Sequence, residues 1–202
     1  ISVFSVTVTG EYPEDIDDVV PPFDPDVMLV PDPTTLREAP GFQTPTAYVI
    51  ADAYGRNGDP VEIAPRMILK RVLELYAKRG WQPVIAPEVE FYLVSKNLDS
   101  DFPLQPPAGR SGRAESASQP FGLEALSEFE DIIEHIYDFC EKAELNIDTM
   151  IHEAGAAQLE VNFVHGDPLA LADQAIEQGT EQQAQEPTHH YQADERWLIG
   201  PL

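Results

Sequence analysis

Basic residues are scarce. The 202-residue chain carries 12 Lys+Arg against 36 Asp+Glu, a formal net charge of −24 at pH 7. A protein that binds nucleic acid through its phosphates needs a basic face, and four lysines and eight arginines cannot build one. The same shortage disfavours anionic membrane surfaces. Cysteine is nearly absent, and with Cys140 alone no internal disulfide can form. Long apolar runs are missing too: Val27-Met28-Leu29-Val30 falls far short of the roughly 20 residues that span a bilayer. No secretory signal pattern opens the chain. The expectation is a soluble, cytoplasmic protein.

What is present allows a core. Hydrophobic residues make up 43% of the chain, which argues against global disorder, and 19 prolines argue for loops and extended segments over a helix bundle. The acidity reads either as a solvated surface or as carboxylates gathered to hold divalent metal. Composition leaves both open.

Local patterns give an α+β chain. Phe4, Val6 and Val8 alternate with polar neighbours, which predicts a strand over Ile1 to Gly10. An acidic, proline-rich connection to Pro25 follows, then strands at Val27–Val30 and Thr46–Ala53 and a turn at Gly55–Asp59. Pro65 and Gly80 bracket a helix whose stripe is Ile68, Val72, Leu75 and Tyr76. A strand is expected over Val84–Val94, and a long mobile loop over Asn97–Pro120. Leu126, Phe129, Ile133, Ile136 and Cys140 form a helical stripe. Strands near Ile147–His152 and Gln158–Val164 are joined around Gly155-Ala156-Ala157, and Pro168–Gln178 reads as helix. From Gly179 to Glu195, Gln and Glu dominate, which reads as tail or linker.

Two segments carry chemistry. In Ala86–Leu93, alternation puts Glu88, Glu90 and Tyr92 on one strand face and Val89, Phe91 and Leu93 on the other. Two carboxylates roughly 7 Å apart suit neighbouring ligands of two ions better than chelation of one. In His152–Phe163, a turn at Gly155–Ala157 brings Glu153 and Glu160 back beside each other near the hairpin's open end. Gln158, Glu160 and Asn162 share a face there. Hard oxygen ligands of this kind favour Mg²⁺ or Mn²⁺ over zinc. The competing reading of each segment is an ordinary solvent-facing sheet surface.

Taken together, the VMLVPDPTTL run, the APEVEFYLV strand, and HEAGAAQLEVNF followed by Asp167–Asp173 resemble the glutamine synthetase family. The resemblance covers roughly residues 1–175 and is closest to the branch that joins glutamate to amines, the γ-glutamylpolyamine synthetase-like proteins. It implies an amino-terminal β-grasp domain (1–62), part of a catalytic domain with a curved antiparallel sheet and flanking helices (63–178), and a polar tail or discontinuous segment (179–202). By the same resemblance, Glu90, Glu153 and Glu160 hold one metal and Glu88 contributes to a second, with Mg²⁺ or Mn²⁺ in both sites. ATP is the implied co-substrate. The γ-carboxylate of glutamate attacks the γ-phosphate of ATP, and ammonia or an organic amine displaces phosphate from γ-glutamyl phosphate. The active site lies between subunits of stacked rings, so a ring-shaped homo-oligomer is implied.

The match has gaps. No histidine-containing metal strand, phosphate-binding arginines or flap glutamate is recognisable after Asp173, and His189-His190 does not replace the missing histidine. Asp15, Asp17 and Asp18 read as a solvated acidic loop. His165 and Cys140 read as structural, and Trp81 as core or interface. The chain is therefore expected to be a fragment, a gapped form or a degenerate enzyme. The alternatives to a ligase are a catalytically inactive scaffold for metal binding, assembly or regulation and, last, a two-metal hydrolase.

Overall fold

The computed structural model describes residues 26–40, 42–96, 101–116, 118–184 and 198–200. The strand expected at Ile1–Gly10, the Asp15–Asp18 loop and His189-His190 lie outside the described residues. The chain falls into two compact units, Ile1–Glu38 with Thr46–Pro83, and Ala39–Pro45 with Val84–Leu202. Among the described residues every strand pair is antiparallel and helices accompany the sheets, so the α+β class is met. The β-grasp arrangement involves Ile1–Gly10 and is not established by the described residues. Among the described residues no helix is long and apolar enough to cross a membrane.

In the first unit, β1 (Met28–Pro31) pairs with β4 (Ala51–Tyr54), and β2 (Arg37–Glu38) with β3 (Ala47–Tyr48). The single strand expected over Thr46–Ala53 is thus two short ones. The cause is the tight turn at Asp32–Thr35. Ile50 donates its N–H to Thr35 Oγ1 at 2.8 Å, and its carbonyl accepts from Asp32 N at 2.8 Å, so its backbone groups serve the turn instead of a ladder.

Helix α1 spans Pro65–Ala77, with proline in the first turn where no N–H is needed. Gly80 follows at φ +69°, a conformation that costs glycine least, and Trp81 N–H returns to the Tyr76 carbonyl. The expected stripe is real but uncovered: Ile68, Val72, Leu75 and Tyr76 are all at least 40% exposed. Trp81 is exposed as well, edge-on to Tyr76 with the Arg79 guanidinium 5.9 Å from its ring centroid. It is not core in this chain.

Charge fastens α1 to the sheet of its own unit. Arg66 bridges Asp32 Oδ2 at 2.7 Å and Asp52 Oδ1 at 2.8 Å, and Lys70 pairs with the other oxygen of Asp52. Hydrogen bonds from Thr34 and Arg66 hold the Asp32 carboxyl well below the usual range. At Asp52 burial pushes upward, but the bonds from Lys70 and Arg66 outweigh it and the net shift is downward. A carboxyl depressed in the folded state contributes stability above its unfolded value and loses it as pH falls through the folded one. Amide exchange in α1, corrected for its intrinsic rate, should therefore accelerate below about pH 3.8, the ordinary aspartate value, and Asp52→Asn should flatten that dependence. Constant protection down to about pH 2.5 would contradict this role.

The second unit holds the main core. Its four-stranded sheet runs β6 (Ile147–His152), β7 (Gln158–Phe163), β5 (Glu88–Val94), β8 (Leu198–Gly200). Strand β5 starts later than the expected Val84. Pro87 has no N–H for a ladder, and Ile85 makes only an isolated bridge to Gly166. One residue, Asp148, is extra on β6, between the pairs Ile147↔Phe163 and Thr149↔Asn162. Phe91, Leu93, Leu159, Val161, Phe163 and Met150 point to one side of the sheet, into a core shared with Ile136, Phe139 and Cys140. Burial pushes the Cys140 thiol up to about 11, as a structural cysteine requires.

The expected Leu126–Cys140 helix is interrupted. α2 (Leu123–Ser127) ends and α3 (Glu130–Lys142) begins around Phe129, whose buried ring (2% exposed) keeps the stripe facing the core. α4 runs from Pro168 to Ala184, past the expected end at Gln178, because a single glycine weakens a helix without forbidding it. Leu198–Gly200 then supplies an edge strand where a tail is expected; 185–197 lie outside the described residues.

Candidate carboxylate site

The face of the sheet opposite the core is acidic. Antiparallel partners share a face, and the register puts Glu88 opposite Asn162, Glu90 opposite Glu160, and Tyr92 opposite Gln158. The alternation read from both segments therefore holds, and it brings the two segments together. Directly opposed side chains have Cβ atoms about 4.5–5.5 Å apart, and like charges in that relation repel.

Glu153 takes a different place from the one expected. Glu160 pairs with Ile151, and the Glu153 N–H donates to the Gln158 carbonyl at 2.8 Å. Glu153 thus flanks the tight turn, diagonal to Glu160, at the closed end of the hairpin. It remains on the acidic face, because Thr149, Ile151 and Glu153 alternate along one side.

The electrostatics register all four glutamates. Glu160 is 7% exposed. Burial first, and then the charges of Glu88, Glu153 and Glu90, push its carboxyl above the ordinary range, against the lowering effect of its bond from Asn162. That bond runs from Asn162 Nδ2 to Glu160 Oε1 at 2.8 Å, while Gln158 Nε2 donates to Glu90 Oε2 at 2.7 Å. With two carboxylates turned toward amides, no three His, Cys, Asp or Glu side chains among the described residues are already gathered tightly enough to hold an ion.

The turn is tightly specified. Gly155 N–H donates to Gln158 Oε1 at 2.8 Å, so the Gln158 amide links the turn to Glu90. A Cβ on Gly155 would lie 2.5 Å from the Tyr92 ring and hydroxyl, which explains glycine there. Ala157 is fully buried at φ +55°.

Sequence reasoning missed one participant. Glu115, within the stretch expected to be a mobile loop, is a buried part of the hairpin's support. Its Oε2 accepts the Ala157 N–H and lies 2.9 Å from Nε2 of His152, whose side chain is fully buried. Nδ1 of His152 donates to the Glu153 carbonyl at 2.8 Å. Nε2 and the carboxylate must then share a proton, since two lone pairs facing at that distance would repel. No local pattern around Gly109–Ser118 marks Glu115. His165 is exposed and stands apart from this arrangement.

Comparison with known proteins places the chain in a family. Residues 62–186 match the catalytic domain of glutamine synthetase. A γ-glutamylputrescine synthetase from Escherichia coli is 28% identical over 177 residues, covering 87% of this chain and 38% of its own. A glutamate–isopropylamine ligase from Pseudomonas is 30% identical over 153 residues, covering 75% of this chain and 32% of its own. A crystal structure of a glutamine synthase homolog shares the fold at a TM-score of 0.64 and 23% identity, over 83% of this chain and 37% of that one. The chain thus spans about a third of the length of these relatives.

Proposed function

From the premise that the chain belongs to the glutamine synthetase family, we propose that it contributes to an ATP-dependent ligase that forms a γ-glutamyl amide from glutamate and ammonia or an organic amine. The observation that carries the proposal is the convergence of Glu88, Glu90, Glu153 and Glu160 on one face of adjoining antiparallel strands, with Glu90 opposite Glu160. Residues 63–178 are the proposed share of the catalytic domain.

The donor set fits two Mg²⁺ or Mn²⁺ ions. All four side chains offer hard oxygens, and burial together with the charges of Glu88, Glu153 and Glu90 raises the Glu160 carboxyl, a cost that a bound cation would offset. Glu90, Glu153 and Glu160 would hold one ion and Glu88 would contribute to the other. Such ions, when bound, neutralise a triphosphate and stabilise the charge that moves in phosphoryl transfer. The chain's own residues orient the carboxylates. Gln158 and Asn162 hold Glu90 and Glu160 through amide hydrogen bonds that a bound ion would replace. The glutamates act as ligands in this reading, and the covalent chemistry passes between ATP, glutamate and the amine through γ-glutamyl phosphate.

A ring-shaped homo-oligomer belongs to the same proposal. Its support is the uncovered stripe of Ile68, Val72 and Leu75 on α1. Assay with ATP, Mg²⁺, glutamate and a series of amines should release inorganic phosphate in step with a γ-glutamyl product. Tight Mn²⁺ binding with neither product would sink the ligase reading and leave a metal-binding scaffold.

A further inference from the structure

Glu115 ties the two ends of the hairpin turn to one oxygen atom. At one end, Oε2 receives the N–H of Ala157, a residue held at φ +55°, where a non-glycine backbone relaxes if released. At the other, it fixes the ring of His152, which in turn holds the Glu153 carbonyl. Further bonds make the turn a closed unit: Ala157 O accepts from Leu93 N on β5 at 2.9 Å, and Glu153 N donates to Gln158 O. The second oxygen of Glu115 is buried with no hydrogen-bond partner among the described residues. A half-satisfied buried carboxylate costs stability, which surface-loop duty does not explain.

We infer that Glu115 is a positioning residue for the carboxylate site, acting through His152 and Ala157 to set Glu153 and Gln158 against Glu90 and Glu160. This rests on the metal-binding part of the proposed function. Glu115 lies on the core side of the hairpin, with His152, while the carboxylates lie on the other, so its effect on an ion passes through the turn. Without it the His152 ring loses its outer anchor, the Glu153 carbonyl loses a fixed partner, and Ala157 can leave its left-handed conformation. The spacing between Glu153 and Glu160 then varies.

The test is Mn²⁺ titration of the full chain, followed by the free-ion electron paramagnetic resonance signal, at a temperature where melting curves show every variant folded. Glu115→Ala should weaken Mn²⁺ binding by about 10–100-fold, the scale of losing an outer-shell support. Ile136→Val, a core change away from the turn, should leave the affinity at the wild-type value. Wild-type affinity in Glu115→Ala overturns the inference while the metal reading stands. Equal losses in both variants reduce Glu115 to general stability and overturn it too. No Mn²⁺ binding by the wild-type chain removes the metal reading itself, and the inference with it. Should Glu115→Ala fail to melt cooperatively, Glu115→Leu, close in size but with no hydrogen-bonding group, is judged by the same outcomes.

Discussion

Replacing Glu160 with glutamine will make the metal-free chain more heat-resistant and will abolish its response to divalent ions. Glu160 is buried, faces Glu90 directly across the ladder, and feels the charges of Glu88 and Glu153. Glutamine keeps the acceptor for Asn162 and removes the charge. The gain is up to about 1 kcal/mol, the scale of a like-charged cross-strand pair, or roughly 2–4 °C for a chain of this size. A carboxyl raised in the folded state favours folding below its unfolded value and loses that contribution as pH rises through the folded one. The wild-type midpoint should thus climb as pH falls toward about 4.5, the ordinary glutamate value, apart from the opposite acid effect at Asp52. Glu160→Gln should lack the climb. Saturating Mn²⁺ should stabilise the wild type by about 2.7 kcal/mol at a hundred times its dissociation constant, and the variant hardly at all. Scanning calorimetry with and without Mn²⁺ reads both effects. A lower metal-free midpoint in Glu160→Gln, or equal Mn²⁺ shifts in both proteins, would refute the account.

One residue away, Leu159→Ala will act in the opposite direction. Leu159 is fully buried among Phe91, Val161 and the α3 side chains, and truncating a core leucine costs about 2–5 kcal/mol. Against a total stability of about 5–15 kcal/mol, that lowers the melting midpoint by roughly 4–20 °C. The lost atoms lie on the core side of β7, so Mn²⁺ affinity measured well below the midpoint should stay at the wild-type value. Urea unfolding gives the first quantity and titration the second. A cost under about 1 kcal/mol would mean that the strand is not packed as described.

The two-sidedness behind both expectations is legible in the sequence. The alternation of Glu88, Glu90 and Tyr92 against Val89, Phe91 and Leu93, and of Gln158, Glu160 and Asn162 against Leu159, Val161 and Phe163, assigns every one of these side chains to the face it occupies. Alternation speaks only of one strand, however. It cannot give the register that sets Glu90 opposite Glu160, or the placement of Glu153 beside the turn instead of beside Glu160. Glu115 escaped because a side chain that acts across 42 positions leaves no local period. The split between β3 and β4 depends on Thr35 and Asp32 capturing the backbone of Ile50, a tertiary event that β-propensity at Thr46–Ala53 cannot register. On α1 the periodicity marks an apolar stripe correctly but says nothing of what covers it.

The extra residue at Asp148 gives β6 a parity. Ile147 packs toward the core, and in an unbroken ladder Thr149, Ile151 and Glu153 would follow it there. The inserted position switches odd for even, so that Met150 and His152 turn inward and Glu153 emerges among the carboxylates. Whether Glu153 can serve as a ligand is thus decided by the bulge, five positions before it in the chain. Drawing Asp148 into a regular ladder would preserve every side chain of the site and still send Glu153 to the wrong side of the sheet, whereas deleting Asp148 would leave Ile147 and Thr149 in plain alternation and Glu153 where it is. Related chains that use the same ligands can therefore carry this extra residue or lack it, but where it is present it must stand out of the ladder as a bulge.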